Sequence, residues 1–131
     1  MIGLDTNILV RFFAKDDIEQ SRRAEKIMAS LTSEEPGWIS LIALLELVWV
    51  ATSRFHYDRE ELAEMLDQLL TRDEVIVQAH DCVYEALIGF RSGKADFADY
   101  VISASAREAG CIQTLTFDRA AAKAAGMTLA I

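Results

Sequence analysis

The sequence predicts an α/β domain built on a mostly parallel sheet of five strands. Five short apolar runs, at residues 2–4, 37–39, 74–77, 111–115 and 127–131, alternate with stretches of helical periodicity. Strand-to-helix alternation is the signature of a parallel sheet, because parallel neighbours need a crossover and a helix supplies it. The chain holds one proline, Pro36, with no Gly/Ser-rich stretch and no repeat, so residues 1–131 read as a single domain. An apolar fraction of 52% supplies enough side chains for a core and a little beyond it.

In chain order, the run at 2–4 ends on Asp5. Asp17 with Gln20 three positions later starts a helix, and Ala24, Ile27, Met28 and Leu31 recur at its spacing to make one apolar face. The run at 37–39 leads into residues 41–51, LIALLELVWVA. They are apolar on every side except at Glu46 and are expected to form a helix buried over most of its surface. Asp58 with Glu61 is a second helix start, followed by Leu62, Met65, Leu66 and Leu69. After the run at 74–77, Asp96 with Asp99 marks a third start, with Asp in place of the usual Glu or Gln. Gly110 and Gly126 stand where a left-handed C-terminal cap favours glycine.

Composition excludes several classes. The stretch at 41–51 is about half of the roughly 20 apolar residues a bilayer span requires, and Glu46 interrupts it. MIGLDTN has no basic region leading into an apolar one, so the protein is expected in the cytoplasm. Cys82 and Cys111 are isolated, which favours two reduced structural thiols over zinc or redox chemistry. The net charge of −8 opposes unassisted nucleic-acid binding. Bound divalent cations or a basic partner would answer that objection.

Four acids then stand out. Asp5 closes the first strand and Asp118 follows CIQTLTF in the same manner, and ligands of open α/β sheets bind outside strand carboxyl ends. Asp99 falls in the first turn of its helix, where the dipole favours an ionised carboxylate, the form a hard metal needs. Glu46 sits in an apolar helix, where an unpaired carboxylate is costly, so it is expected to meet a cation, either an arginine or a metal. Singly, Asp5 has a plain structural reading as a helix cap and Asp118 as a turn; nearby Asp96 reads mostly as an N-cap, with an additional acid of the cluster as the alternative, and Glu46 alone favours function. As a set they point to a cation site.

At these residues the chain resembles the PIN-domain ribonucleases, and specifically the VapC toxins of bacterial toxin–antitoxin pairs. LDTNILVRFF is similar to the family's opening strand and Asp-Thr-Asn start, and WISLIALLELVWV to its second strand and glutamate-bearing helix. DFADYVISASAREAGC resembles the helix with the third acid and TLTFDRAAAKAAG the strand end with the fourth. Proline often follows serine in the second-strand motif, whereas here Leu41 follows Ser40, a departure that touches no acid.

The resemblance implies an α/β/α sandwich around the central sheet and an acidic quartet of Asp5, Glu46, Asp99 and Asp118. Asp5 and Asp99 would be the direct ligands of Mg2+ or Mn2+, Thr6 and Asn7 would shape the loop at Asp5, and Thr116 would lie near Asp118. It further implies hydrolysis of RNA to 5′-phosphate and 3′-hydroxyl ends, a homodimer, and a cognate antitoxin laid across the site. Arg11, Lys15, Arg22, Arg23 and Lys26 form the densest basic region, readable either as a contact for RNA or as a solvated helix face. The helix at 41–51 with Trp49, together with Phe12 and Phe13, is readable as a dimer or antitoxin surface or as core.

Three rivals compete with this reading. An aspartyl phosphatase needs a second aspartate where Asn7 stands, and a receiver domain needs a lysine near Thr114 to Asp118. A non-catalytic PIN-like module that binds a partner is the third.

Overall fold

Parallel pairing begins at the first apolar run, where β1 (Ile2–Gly3) lies beside β2 (Gly37–Ile39), itself beside β3 (Val75–Val77). The computed structural model describes residues 1–131, and the chain forms two compact units, Met1–Gln78 and Ala79–Ile131.

In the first unit the register pairs Ile2 with Gly37 and Gly37 with Val75. The ladder runs one residue beyond β1, since the Leu4 N–H donates to the Trp38 carbonyl at 2.8 Å. Gly37 is required by space: a Cβ there would lie 2.8 Å from Leu4 Cδ1 and 2.9 Å from Leu31 Cδ1. Four helices complete the unit: α1 (Thr6–Ala14), α2 (Ile18–Ser30), α3 (Leu41–Ser53) and α4 (Arg59–Leu70). Helix α1 packs on α2 and α3, and α4 packs on β3. Leu9, Ile39, Leu44, Leu47, Leu66 and Leu69 are the fully buried centre.

The helix starts read from sequence hold here. Asp17 accepts the Gln20 N–H, and Asp58 with Glu61 forms a complete capping box. Such a cap contributes about 1 kcal/mol and fixes where the helix begins. The expected faces also hold, with Ala24 and Met28 buried and Ile27 half-buried on α2, Leu31 buried at its C-cap, and Leu62, Met65, Leu66 and Leu69 buried on α4.

Helix α3 departs from expectation. Ala43, Leu44, Leu47 and Ala51 are buried, but Ile42 is 73% exposed and Trp49 67% exposed, and Glu46 is exposed between them. Spacings of four and seven residues put these three on one stripe. A helix apolar on all sides gives no sequence signal for which stripe it leaves out.

The second unit contains α5 (His80–Ser92), α6 (Phe97–Glu108), β4 (Leu115–Thr116), α7 (Arg119–Ala124) and β5 (Thr128–Leu129). Helices α5 and α6 pack as an antiparallel pair around Val83, Leu87, Phe90 and Phe97. β4 pairs with β5 in parallel, Leu115 opposite Thr128. The strand expected at 111–115 begins later because Gly110 and Cys111 belong to the preceding helix end. Their N–H groups donate to the Arg107 and Ala106 carbonyls, with Gly110 at φ 96°, and Ile112 is 98% exposed.

The α/β class is therefore present, with seven helices and five strands, and every strand pair is parallel. The five strands form a three-stranded and a two-stranded sheet rather than one five-stranded sheet. No helix is long and apolar enough to cross a membrane.

Candidate active site

Two acids of the first unit are joined through one threonine. Asp5 leaves β1 in extended conformation and caps α1, its Oδ1 accepting the Thr6 N–H at 2.8 Å. The structural reading of Asp5 as a cap is correct, and the cap also fixes the carboxylate at the strand end. Thr6 is buried, and its Oγ1 donates to Glu46 Oε1 at 3.2 Å. The expectation that Glu46 lies in a buried helix face is corrected: it is exposed, and Thr6 donates a hydrogen bond to it. Desolvation therefore gives no ground for a cation at Glu46. What remains is its tie to the strand end that carries Asp5.

The second unit repeats the strand-end pattern. Asp118 follows β4, its N–H donates to Thr116 Oγ1 at 3.0 Å, and its Oδ1 accepts from the N–H groups of Ala120 at 2.8 Å and Ala121 at 3.2 Å. Both cap bonds use Oδ1, which leaves Oδ2 outside the cap. Asp99 is half-buried in the first turn of α6. Its carboxyl is raised above the ordinary value, first by burial and then by the negative charges of Asp96 and Asp118, while a hydrogen bond from the Asp96 backbone pulls the other way. Asp96 occupies the N-cap position by backbone geometry, but its side chain makes no cap hydrogen bond. The N-cap reading of Asp96 therefore holds for its backbone, whose carbonyl accepts the Asp99 N–H at 3.0 Å, and not for its side chain.

Chemically, all these donors are carboxylate oxygens, the ligands preferred by Mg2+ and Mn2+. The elevated Asp99 carboxyl, with two like charges acting on it, is a site that a cation would relieve. The residues fit a divalent ion in chemistry. Neither unit by itself assembles three or more Asp, Glu, His or Cys side chains as a preformed ligand set.

A family model described as the PIN domain matches residues 2–127, a range that takes in both compact units. The chain belongs to the PIN-domain family. PIN domains are typically metal-dependent nucleases and generally use divalent ions such as Mg2+, which supports a nuclease reading of this acidic site. No curated protein matches the chain.

Within this PIN domain, sequence reasoning gave Thr6 and Thr116 only as neighbours of acids. Their hydrogen bonds show them to be the groups that orient Glu46 and the Asp118 backbone. A hydroxyl residue directly after one strand-end acid and two residues before the other is the signal that could have marked them. Phe12 and Phe13 are half-buried and in edge contact at 5.0 Å, with the Arg72 guanidinium 5.2 Å over the Phe12 ring, so they serve packing in part.

Proposed function

We propose that this PIN domain is a Mg2+- or Mn2+-dependent endoribonuclease and the toxin of a VapBC-type toxin–antitoxin pair, acting in the cytoplasm with residues 1–131 as one functional domain. The observation that carries the reading is the match of residues 2–127 to a family of metal-dependent nucleases, in a chain whose Asp5 and Asp118 are held at strand ends by cap hydrogen bonds.

Asp5 and Asp99 are assigned as direct metal ligands, and Glu46 and Asp118 as acids that act through water. When bound, the divalent ion supplies a water of lowered pKa and neutralises charge on the phosphate. Thr6 holds Glu46 in one orientation, and the α7 cap holds Asp118 with Oδ2 available. Asp96 supplies further negative charge beside Asp99. The reaction is hydrolysis: the water oxygen bonds to phosphorus, the bond from phosphorus to the 3′ oxygen breaks, and that oxygen takes a proton. The ends left are 5′-phosphate and 3′-hydroxyl.

The assigned partners are RNA, a second copy of the chain and a cognate antitoxin whose basic segment would place an arginine among the acids. Exposed Ile42 and Trp49 beside Glu46 support a protein partner on α3. The same stripe favours the second reading, a PIN-like module that binds a partner without cutting.

The test is incubation of purified, antitoxin-free protein with structured and unstructured RNA in Mg2+, in Mn2+ and in chelator. Cleavage in the metals, lost in chelator and in Asp5→Asn and Asp99→Asn, is expected. Cleavage that ignores chelator, or survives both substitutions, overturns the reading. Growth arrest on expression, relieved by the product of the neighbouring gene, tests the toxin role.

A further inference from the structure

The groove between α1 and α2 has a volume of about 550 Å³ and begins at Asn7, two residues beyond Asp5. Its polar lining consists of Asn7, Arg11, Gln20 and Arg23, and its apolar lining includes Ile8 and Ile27. No Asp or Glu lines it, although acids outnumber bases 21 to 13 in the chain.

The hydrogen bonds make this lining a donor surface. Arg11 Nε donates to Gln20 Oε1 at 2.7 Å, a bond that uses the amide oxygen and not the Gln20 NH2 group. A second bond, from Arg11 to Asp16 at 2.6 Å, fixes the guanidinium plane and leaves its other terminal nitrogen unused by either contact. Arg23 pairs with Glu19 at 3.1 Å, both side chains about three-quarters exposed, and an ion pair of that kind yields readily to a competing anion. Asn7 and Arg11 are four residues apart on one face of α1, so the donors continue away from the strand end that carries Asp5.

Resting on the nuclease reading, we propose that this groove receives the RNA strand next to the cleavage site. Phosphate lies on Arg11, Arg23 and the two side-chain amides, and ribose or base lies against Ile8 and Ile27. Two guanidinium groups and two side-chain amides beside Ile8 and Ile27 fit a nucleotide, whose phosphate accepts hydrogen bonds and whose base and sugar present apolar faces. Exposed Arg22 and Lys26 on α2 extend the positive charge beyond the groove. Arg11, Arg22, Arg23 and Lys26 thus gather four of the chain's 13 Lys and Arg in or beside this groove, despite the net charge of −8.

The test is fluorescence anisotropy of a labelled single-stranded oligoribonucleotide with the full chain in chelator, where nothing is cut. Arg23→Glu is expected to weaken binding about tenfold and to lower the salt slope by about 0.7, the value for one lost single-strand phosphate contact. Arg59→Glu makes the same change of charge on α4 and is expected to stay within about twofold of wild type. Ile27→Asp, which puts an acid on the apolar floor, should weaken binding as Arg23→Glu does.

Equal loss in Arg23→Glu and Arg59→Glu would reduce the effect to net charge and overturn the proposal. So would an oligoglutamate peptide that binds with the same affinity and the same dependence on Arg23, because the groove would then recognise an acidic protein. Cleavage by wild type in Mg2+ with KM unchanged in Arg23→Glu sinks the groove and leaves the nuclease reading intact. Groove-dependent binding without cleavage in any divalent metal supports the groove and sinks the nuclease reading.

Discussion

Thr6 Oγ1 donates to Glu46 Oε1 at 3.2 Å, and the same residue's N–H holds Asp5 Oδ1 at 2.8 Å. One buried threonine therefore orients an acid at a strand end and an acid on α3. Thr6→Val keeps the side-chain shape and removes the donor. RNA cleavage is expected to fall about tenfold, the usual cost of losing a group that orients a metal-site acid. Stability should fall by only about 1 kcal/mol, read from thermal melting, because Glu46 is exposed and regains water. Thr6→Ser should restore most of the rate.

The Asp99 carboxyl is raised above its ordinary value of 3.8 by burial and by Asp96 and Asp118. An acid raised in the folded state binds its proton more tightly there than in the unfolded chain. Its contribution is fully present below the unfolded pKa and is lost as pH rises through the higher folded one. In chelator at neutral pH, Asp99→Asn is therefore expected to melt above wild type, with the gap closing as pH falls below the carboxylate range. Adding Mg2+ should raise the melting temperature of wild type more than that of the variant.

Cys82 is buried, and its thiol donates to Glu108 Oε2 at 2.8 Å. That bond, then burial and the charges of Glu108 and Glu85, pushes the thiol up to about 11. A thiol raised in the fold stabilises fully below its ordinary pKa of 9.0, and the contribution is lost as pH climbs through about 11. Because the thiolate is the nucleophile, Cys82 is expected to resist a disulfide reagent near neutral pH. Cys111 is exposed. Titration of the native protein should count one fast thiol, and a second should appear only on unfolding.

Gly93 faces the Tyr100 hydroxyl so closely that an added Cβ would sit 1.8 Å from the oxygen and 3.0 Å from the ring carbon bearing it. Its φ of −111° is open to any residue, so the constraint is space. Tyr100 also accepts the Ala95 N–H at 3.4 Å, just before the turn that starts α6 with Asp96 and Asp99. Gly93→Ala is expected to cost about 1–3 kcal/mol in denaturant unfolding. Tyr100→Phe in the same background removes the closest clash and should recover part of the loss, giving a non-additive double-mutant cycle.

Sequence carried the parts of this fold that rest on local chemistry. Asp58 and Glu61 announced a capping box that the hydrogen bonds reproduce, and Gly110 and Gly126 announced turns that have φ of 96° and 75°. Helix α5 had no such signal: it starts from Ala79, at φ 55°, with no side-chain cap. Glu46 was misplaced because an apolar helix does not reveal which stripe faces solvent, and that choice is made by tertiary packing. Asp96 carried the sequence mark of a cap, while its side chain makes no cap bond. The strand-end places of Asp5 and Asp118 and the first-turn place of Asp99 were legible because strand ends and helix starts are local features, whereas the threonine tie to Glu46 spans 40 residues and is set by the fold.

The most direct test of an acidic metal site is Mn2+ binding to the resting protein, followed by electron paramagnetic resonance. Wild type is expected to take up the ion, with affinity lower by at least about tenfold in Asp99→Asn and in Asp5→Asn and unchanged in Glu64→Gln on the outer face of α4. Equal binding by all four proteins, or none by wild type, would contradict the assignment.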